Sequence, residues 1–114
     1  MMEMKSAVIA LAALAQDSRL AIYRTLVQAG PEGMSAGKIS EATGIPPSSL
    51  SFHMKELSFA YLVKSRNEGR FVIYTANFDA MNALLAFMTE NCCGVNTNVS
   101  VTCPTCQVPE ESSS

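Results

Sequence analysis

One short connection, rich in glycine and proline, constrains the fold of this chain more than any other feature. Gly44-Ile45-Pro46-Pro47 separates two segments whose apolar residues recur at helical spacing. Glycine commonly ends a helix because it adopts the left-handed conformation without strain, and Pro47 suits the first helical turn, where its missing N–H costs nothing. The stretch therefore predicts two short helices joined by a tight turn.

The second of these helices, predicted from residue 47 to about residue 60, has two different faces. Leu50, Met54 and Leu57 form an inward face, which Tyr61 would extend by one turn. Short polar side chains, an aromatic ring and a lysine are left outside: Ser48, Ser49, Ser51, Phe52 and Lys55. Short hydroxyl side chains let a helix approach a DNA groove closely and bond either bases or phosphates. The two helices are therefore a candidate helix-turn-helix, with the second one contacting DNA.

Four more helices are predicted around this second helix. They cover residues 5–15, 18–28, 36–43 and 80–90, and the last three have Asp17, Ser35 and Asp79 as their expected N-caps. Between the second helix of the motif and the final helix, the apolar spacing changes to that of β-strands.

The two predicted strands cover residues 62–66 and 71–75, with a hairpin turn at residues 67–70. Arg66 and Arg70 lie on this hairpin and are candidates for contact with phosphates or the minor groove. The full order of elements predicts a mainly α fold with a β-hairpin, which is the arrangement of a winged helix-turn-helix.

The distribution of charge supports a polyanionic partner for the middle of the chain. The net charge of the whole is −2, yet residues 35–75 carry five Lys or Arg against three Glu. Residues 76–114 carry four carboxylates and no Lys or Arg. A locally basic segment in an acidic chain is typical of a protein whose central part faces nucleic acid.

The chain offers few groups for catalysis. It has a single histidine, His53, and no paired carboxylate site, phosphate-binding glycine loop or nucleophile–base pair. A thiol oxidoreductase or metal carrier using Cys103-Pro104-Thr105-Cys106 is the alternative class, but a redox pair of this spacing normally begins a helix after a strand. We therefore expect that the protein is not an enzyme. His53 is expected either on the groove side of the second helix of the motif or in a hydrogen bond, within a dimer of the chain, that positions this helix.

All four cysteines lie near the end of the chain, as Cys92, Cys93, Cys103 and Cys106. No apolar run reaches the roughly 18 residues of a membrane span, and we read no signal peptide, so the expected compartment is the cytoplasm, where cysteines are thiols or metal ligands. Three thiolates suit trivalent arsenic or antimony, because soft ligands select soft ions. A tetrahedral zinc site, a disulfide redox switch and incidental tail cysteines are the alternatives.

Three segments occur in the order typical of one known family: Leu14-Ala15-Gln16-Asp17-Ser18-Arg19-Leu20, Ser51-Phe52-His53-Met54-Lys55-Glu56-Leu57 and Glu68-Gly69-Arg70-Phe71-Val72-Ile73-Tyr74. Through them, residues 11–93 resemble the ArsR/SmtB family of bacterial metalloregulatory repressors. The resemblance implies a homodimer that binds double-stranded operator DNA and leaves it when an inducer binds. It also implies that the first and last helices pair in the dimer, through Leu11, Leu14, Met81, Leu84, Leu85 and Met88.

The chain departs from the family in where an inducer can bind. The Cys-x-Cys motif that many arsenic-sensing members carry at the third helix is absent from residues 34–38, and the zinc ligands of the last helix are absent too. Cys92-Cys93 followed by Cys103 resembles the arsenite-responsive branch with C-terminal cysteines, and Cys106 is a substitute third ligand. We therefore expect a DNA-binding and dimerisation domain at 1–91 and a cysteine-containing tail at 92–114. A methylated arsenical would need only two thiolates, and no organic cofactor is expected.

Overall fold

The structure, a computed structural model, describes residues 2–90. Within this range the chain forms five α-helices, one 3-10 turn and three short strands. The helices are α1 (Met4–Leu14), α2 (Asp17–Ala29), α3 (Ala36–Thr43), α4 (Pro47–Phe59) and α5 (Phe78–Met88). The strands are β1 (Met34–Ser35), β2 (Val63–Glu68) and β3 (Phe71–Ala76), and the 3-10 turn covers Gly30–Glu32. No helix in residues 2–90 is both long and apolar enough to cross a membrane.

The helix N-termini correct two of the three predicted caps. Ser35 caps α3 as expected, its hydroxyl accepting from the Lys38 N–H at 3.3 Å. The cap of α2 is Gln16 rather than Asp17, and the cap of α5 is Asn77 rather than Asp79. Both aspartates lie instead in the first turn, where a carboxylate still interacts favourably with the positive end of the helix dipole.

The core lies between α1, α2, α3, α4 and the base of the hairpin. Its largest fully buried side chains are Ile22, Leu26, Ile39, Leu50, Leu57 and Leu62. The buried residues of helix α1 are all small, Ala7, Ala10 and Ala13, and Leu14 packs against the core only in part. Alanines at this spacing let α1 approach the core closely, so its larger aliphatic side chains point away from it.

The sheet has three antiparallel strands in the order β1-β3-β2, one more than the sequence predicts. Strand β1 is only two residues long, with Met34 opposite Tyr74, and leaves no periodic signal. Gly33 precedes it with a φ of 72°, and a Cβ at this position would collide with the Tyr74 carbonyl oxygen. The glycine therefore permits the close approach of this segment to β3.

Candidate nucleic-acid interface

The turn between α3 and α4 is held by short hydrogen bonds. Gly44 adopts the left-handed conformation with a φ of 75°, and its N–H donates to the Ser40 carbonyl at 2.8 Å. The Ser40 hydroxyl donates to the Ile45 carbonyl at 2.6 Å. Pro46 is then the N-cap of α4 and Pro47 its first residue. The turn thereby fixes the direction in which α4 leaves α3.

Helix α4 is anchored by the face that its periodicity predicts. Leu50, Met54 and Leu57 are all buried in the core, which confirms the inward assignment. Tyr61 does not extend this face. Its side chain is 76% exposed and its φ is 62°, because the chain reverses direction after Phe59 to enter β2.

The opposite face of α4 is open to solvent. Five side chains predicted to face outward are exposed: Ser48, Ser49, Ser51, Phe52 and Lys55. We call these five residues the reading face. His53 lies at its edge, half-buried, with its ring 5.7 Å from that of Phe52 and its Nδ1 3.5 Å from Nη1 of Arg19 on α2. Short polar groups flanked by a lysine and an aromatic ring can contact base edges and phosphates.

The hairpin beside α4 is longer than its predicted strands. Strand pairing runs from Val63 opposite Ala76 to Glu68 opposite Phe71, which leaves Gly69 and Arg70 as a two-residue loop. Gly69 has a φ of 62°, a conformation that such short loops require and that glycine adopts without strain. Arg70 therefore lies at the exposed tip of the wing.

Arg66 has a different environment from the free charge that we expected on the wing. Its Nε donates to Glu68 Oε2 at 2.8 Å, and its Nη2 donates to the Glu32 carbonyl at 2.8 Å. The guanidinium thus ties β2 to the 3-10 turn, while its side chain remains partly exposed. Whether Arg66 also contacts DNA stays a prediction, and Arg70 is the wing arginine with no such internal bonds among residues 2–90.

A second open surface lies on α1 and α5, which contact each other. Exposed apolar residues recur on both helices at helical spacing: Met4, Val8 and Leu11 on α1, and Leu85 and Met88 on α5. We call these five residues the apolar rows. Of the other predicted dimer residues, Leu14 and Met81 are partly buried against the core. Leu84 is only 6% exposed and belongs to the core of its own chain, so it is not free for a partner.

Phe59, Tyr61 and Phe71 are exposed aromatic residues that were not among the predicted site residues. Phe59 and Tyr61 border a groove of about 430 Å³ that Ile9 of α1 and Ala83 of α5 also line. Phe59 lies two residues after the inward-facing Leu57 and therefore on the opposite side of the helix, so its outward direction was readable from the periodicity. The exposure of Tyr61 was not, because it depends on the backbone reversal.

The predicted metal ligands Cys92, Cys93, Cys103 and Cys106 lie outside the described residues. Within residues 2–90 no group of three or more His, Cys, Asp or Glu side chains is arranged to hold a metal ion. Since residues 2–90 contain no cysteine, thiolate ligands in this chain come only from the segment beyond residue 91.

Comparisons with known proteins agree with this geometry. A family profile described as a helix-turn-helix domain matches residues 14–66. The HTH-type transcriptional regulator YceK of Bacillus subtilis is 41% identical over 58 residues, which are 51% of this chain and 57% of YceK. The chain thus spans little more than half the length of that relative.

Two solved structures match most of the described fold. HlyU from Vibrio cholerae N16961 is 33% identical, with a TM-score of 0.60 over 76% of this chain and 97% of HlyU, and is also solved in a form described as reduced. Mb0332 from Mycobacterium bovis is 27% identical, with a TM-score of 0.61 over 76% of this chain and 81% of Mb0332. Mb0332 is described as a homodimeric winged helix-turn-helix DNA-binding domain and a possible ArsR-family transcriptional regulator.

The fold and the exposed face of α4 define a winged helix-turn-helix regulator. The chain is similar to helix-turn-helix transcriptional regulators, and one of them, Mb0332, is described as a possible ArsR-family member. This confirms the predicted fold class and supports the resemblance at the level of helix-turn-helix regulators. Its relatives are transcriptional regulators rather than enzymes, which also confirms the prediction that the chain is no enzyme.

Proposed function

We propose that this chain is a transcriptional repressor that binds operator DNA as a homodimer and is released when trivalent arsenic or antimony binds its C-terminal thiolates. The observation that carries the proposal is the reading face of α4, which is exposed and mainly polar, on a helix that packs against the core by its opposite face and contacts strand β2 of a basic wing. The three parts of the proposal, DNA binding, dimerisation and induction, have different support.

DNA binding is supported by the side chains that α4 and the wing expose. Ser49 and Ser51 are short enough to let the helix backbone approach base edges in the major groove. Lys55 and Arg70 add positive charge on either side, which favours phosphate contacts that fix the register of the protein on the duplex. Ser48, Phe52 and His53 lie beside these residues on α4 and are assigned to the same interface.

Dimerisation is supported by the apolar rows and by the described homodimer of Mb0332. Large aliphatic side chains exposed together on neighbouring helices mark an interaction surface. A two-fold dimer presents two reading faces to half-sites about one DNA turn apart, so the expected operator is an imperfect palindrome.

The inducer is proposed from the chemistry of the cysteines alone. Trivalent arsenic and antimony are thiophilic, and the adjacent Cys92 and Cys93 with Cys103 supply three thiolates. Cys106 is a substitute third ligand. Zinc or a methylated arsenical at the same cysteines would release DNA by the same route. Thiol oxidation is a second candidate signal, favoured because the relative HlyU is solved in a form described as reduced.

The decisive experiment selects a duplex from a random DNA library with the full chain and then measures binding by fluorescence anisotropy. We expect the selected site to be palindromic and to bind a dimer. Arsenite, zinc chloride and hydrogen peroxide are then titrated separately into the complex. Release by arsenite at concentrations where zinc and peroxide have no effect supports the proposal. Release only by zinc or only by peroxide contradicts arsenite as the inducer and identifies zinc or thiol oxidation as the signal. Failure to enrich any duplex contradicts DNA binding itself.

Serine variants test the ligands. Cys92→Ser or Cys93→Ser should leave DNA affinity unchanged and abolish release by arsenite, because these thiols lie outside the DNA-binding segment. Cys103→Ser, Cys106→Ser and the double variant identify the third ligand. Full release from the double variant would mean that two thiolates suffice, and the three-coordinate site would then be wrong.

A further inference from the structure

Arg19 lies where three helices meet. It belongs to the first turn of α2, and its Nε donates a hydrogen bond to the Ala13 carbonyl at 2.7 Å. Its Nη1 lies 3.5 Å from Nδ1 of His53 on α4, and both contacts are partly buried. One guanidinium therefore touches the carboxyl end of α1 and the middle of α4 from a fixed position on α2.

The first of these contacts holds the guanidinium in place. Ala13 is in the last turn of α1, where carbonyl oxygens lack partners within the helix. A cation there satisfies a free carbonyl and interacts favourably with the negative end of the helix dipole. At 2.7 Å the bond is short, as expected for a charged donor. The direction of the remaining guanidinium N–H groups toward His53 is thereby set.

The second contact supplies something that the apolar core of α4 does not. Leu50, Met54 and Leu57 hold α4 against the core by burial, which has no directional preference. A polar contact on the side of the helix adds a direction, and so limits rotation of α4 about its own axis. The reading face lies on the same helix, so any such rotation moves its serines relative to a DNA groove.

We propose that Arg19 is a positioning residue for DNA recognition, which orients the reading face of α4 by linking His53 to the carboxyl end of α1. The inference rests on the proposed DNA-binding function. Through Arg19, α1, which carries one of the apolar rows, is joined by side-chain contacts to α4, the helix proposed to contact DNA. The contact requires Nδ1 of His53 to accept, so the imidazole must be neutral and carry its proton on Nε2.

The test uses substitutions that separate the two nitrogens of His53. The amide of asparagine places an acceptor near the position of Nδ1, whereas the amide of glutamine extends to the position of Nε2. We therefore expect His53→Gln to bind the selected duplex about tenfold more weakly than His53→Asn, the factor that corresponds to one hydrogen bond to a charged group. Any direct contact of the ring with DNA is lost in both variants, so this comparison isolates the contact with Arg19. Asparagine has a lower helix propensity than glutamine, so an effect of helix stability alone would make His53→Asn the weaker binder, which is the opposite of the expected result.

Arg19→Lys keeps the charge but loses the planar fork that reaches two acceptors at once. We expect it to lower affinity for the selected duplex by about tenfold, with unchanged affinity for a scrambled duplex and an unchanged salt dependence, since the charge is the same. Arg24→Lys, an exposed arginine on the same helix, is the matched control and should behave as the wild type. In the His53→Gln background, Arg19→Lys should cost nothing further.

A spectroscopic readout tests the contact without DNA. His53 is the only histidine in the chain, so its ring nitrogens give one set of ¹⁵N signals. At pH 8 we expect an unprotonated Nδ1 in the wild type and in Arg24→Lys, and a changed tautomer balance in Arg19→Lys.

Three results would overturn the inference. They are additive effects of Arg19→Lys and His53→Gln, a normal His53→Gln alongside a defective His53→Asn, and ring signals unchanged by Arg19→Lys. If the wild type selects no duplex, the proposed function fails, and the ring signals still decide whether the Arg19–His53 contact exists.

Discussion

The reading face of α4 and the apolar rows of α1 and α5 are both exposed, but their side chains have opposite character. The reading face consists mainly of hydroxyl groups with one lysine, whereas the apolar rows consist of methionine, valine and leucine. Helix α4 buries its large aliphatic residues, as a surface helix normally does. Helix α1 does the reverse, because it buries Ala7, Ala10 and Ala13 and exposes Val8 and Leu11.

This difference indicates two kinds of partner. A helix that exposes its larger aliphatic side chains gains little of its available burial within its own chain, so its principal apolar partner is another molecule. The reading face of α4 exposes three serines and a lysine beside a single aromatic ring, so it suits a mainly polar partner. The comparison yields four predictions, in order of decreasing effect on binding.

The largest effect is expected from a charge in the apolar rows. Leu85 is 54% exposed, so Leu85→Glu should leave the fold of the single chain intact while placing a carboxylate in the dimer contact. We expect a monomer in sedimentation velocity. Affinity for the selected palindrome should fall by about a hundredfold or more, because linkage of two half-site contacts is lost.

The matched control for this change is Leu20→Glu. Leu20 lies on α2, outside the apolar rows, and is 43% exposed. Its replacement by glutamate therefore introduces the same charge at a similarly exposed position. We expect this variant to remain a dimer with nearly normal affinity. A Leu85→Glu protein that is still dimeric would show that the apolar rows are not the dimer interface. The assignment of the two exposed surfaces to two different partners would then be wrong.

On the reading face, removal of one hydroxyl should change sequence discrimination. Ser49→Ala or Ser51→Ala deletes one hydrogen-bonding group without altering charge, so the ratio of affinities for the selected and scrambled duplexes should fall by about three- to tenfold. The dimer should persist. Competition binding with both duplexes measures the ratio, and an equal loss on both would assign these serines to phosphate contact instead.

Periodicity alone was enough to predict the reading face. Leu50, Met54 and Leu57 recur at i, i+4 and i+7, and once they are placed inside, the outward direction of Ser49 and Ser51 follows from helix geometry. The glycine and prolines of the turn fixed where this helix begins. Local sequence determines these features, so they were predictable.

The apolar rows were only partly predictable, because they depend on tertiary packing. An apolar stripe does not reveal which of its members face the same chain, and Leu84 is buried in its own chain while its neighbour Leu85 is exposed. The small residues of α1 were a signal that the prediction did not use, since a core that accepts Ala7, Ala10 and Ala13 leaves Val8 and Leu11 outside. The bonds of Arg66 to Glu68 and to the 3-10 turn were also invisible, because the latter joins segments that are distant in sequence.

The wing should contribute less than the reading face and in a sequence-independent way. Arg70→Ala removes one exposed charge, so affinity should fall by about twofold at 0.15 M salt on any duplex, and the slope of log K against log salt should decrease by about one. Arg66→Ala provides the comparison. It should also lower the unfolding temperature, since its guanidinium bonds the Glu32 carbonyl. An unchanged salt slope in Arg70→Ala would remove the wing from the interface.

The smallest effect on binding is expected from a buried residue that belongs to neither surface. The Tyr23 hydroxyl is buried and has no hydrogen-bond partner in residues 2–90. Tyr23→Phe should therefore raise the free energy of unfolding by up to about 1 kcal/mol and leave DNA affinity and the dimer unchanged. A loss of DNA affinity in this variant would mean that the core and the reading face are not independent.

The pH dependence of Tyr23→Phe gives a second measurement. Burial raises the pKa of Tyr23 above its ordinary value near 10. The folded state therefore holds this proton more tightly than the unfolded state. As a result, ionisation of Tyr23 does not affect the free energy of unfolding below about pH 10, and lowers it as the pH rises from 10 through the raised pKa. Tyr23→Phe should lose less stability than the wild type between pH 9 and pH 11 in urea unfolding. Parallel curves for the two proteins would mean that the hydroxyl is solvated, in which case the gain at neutral pH should be absent as well.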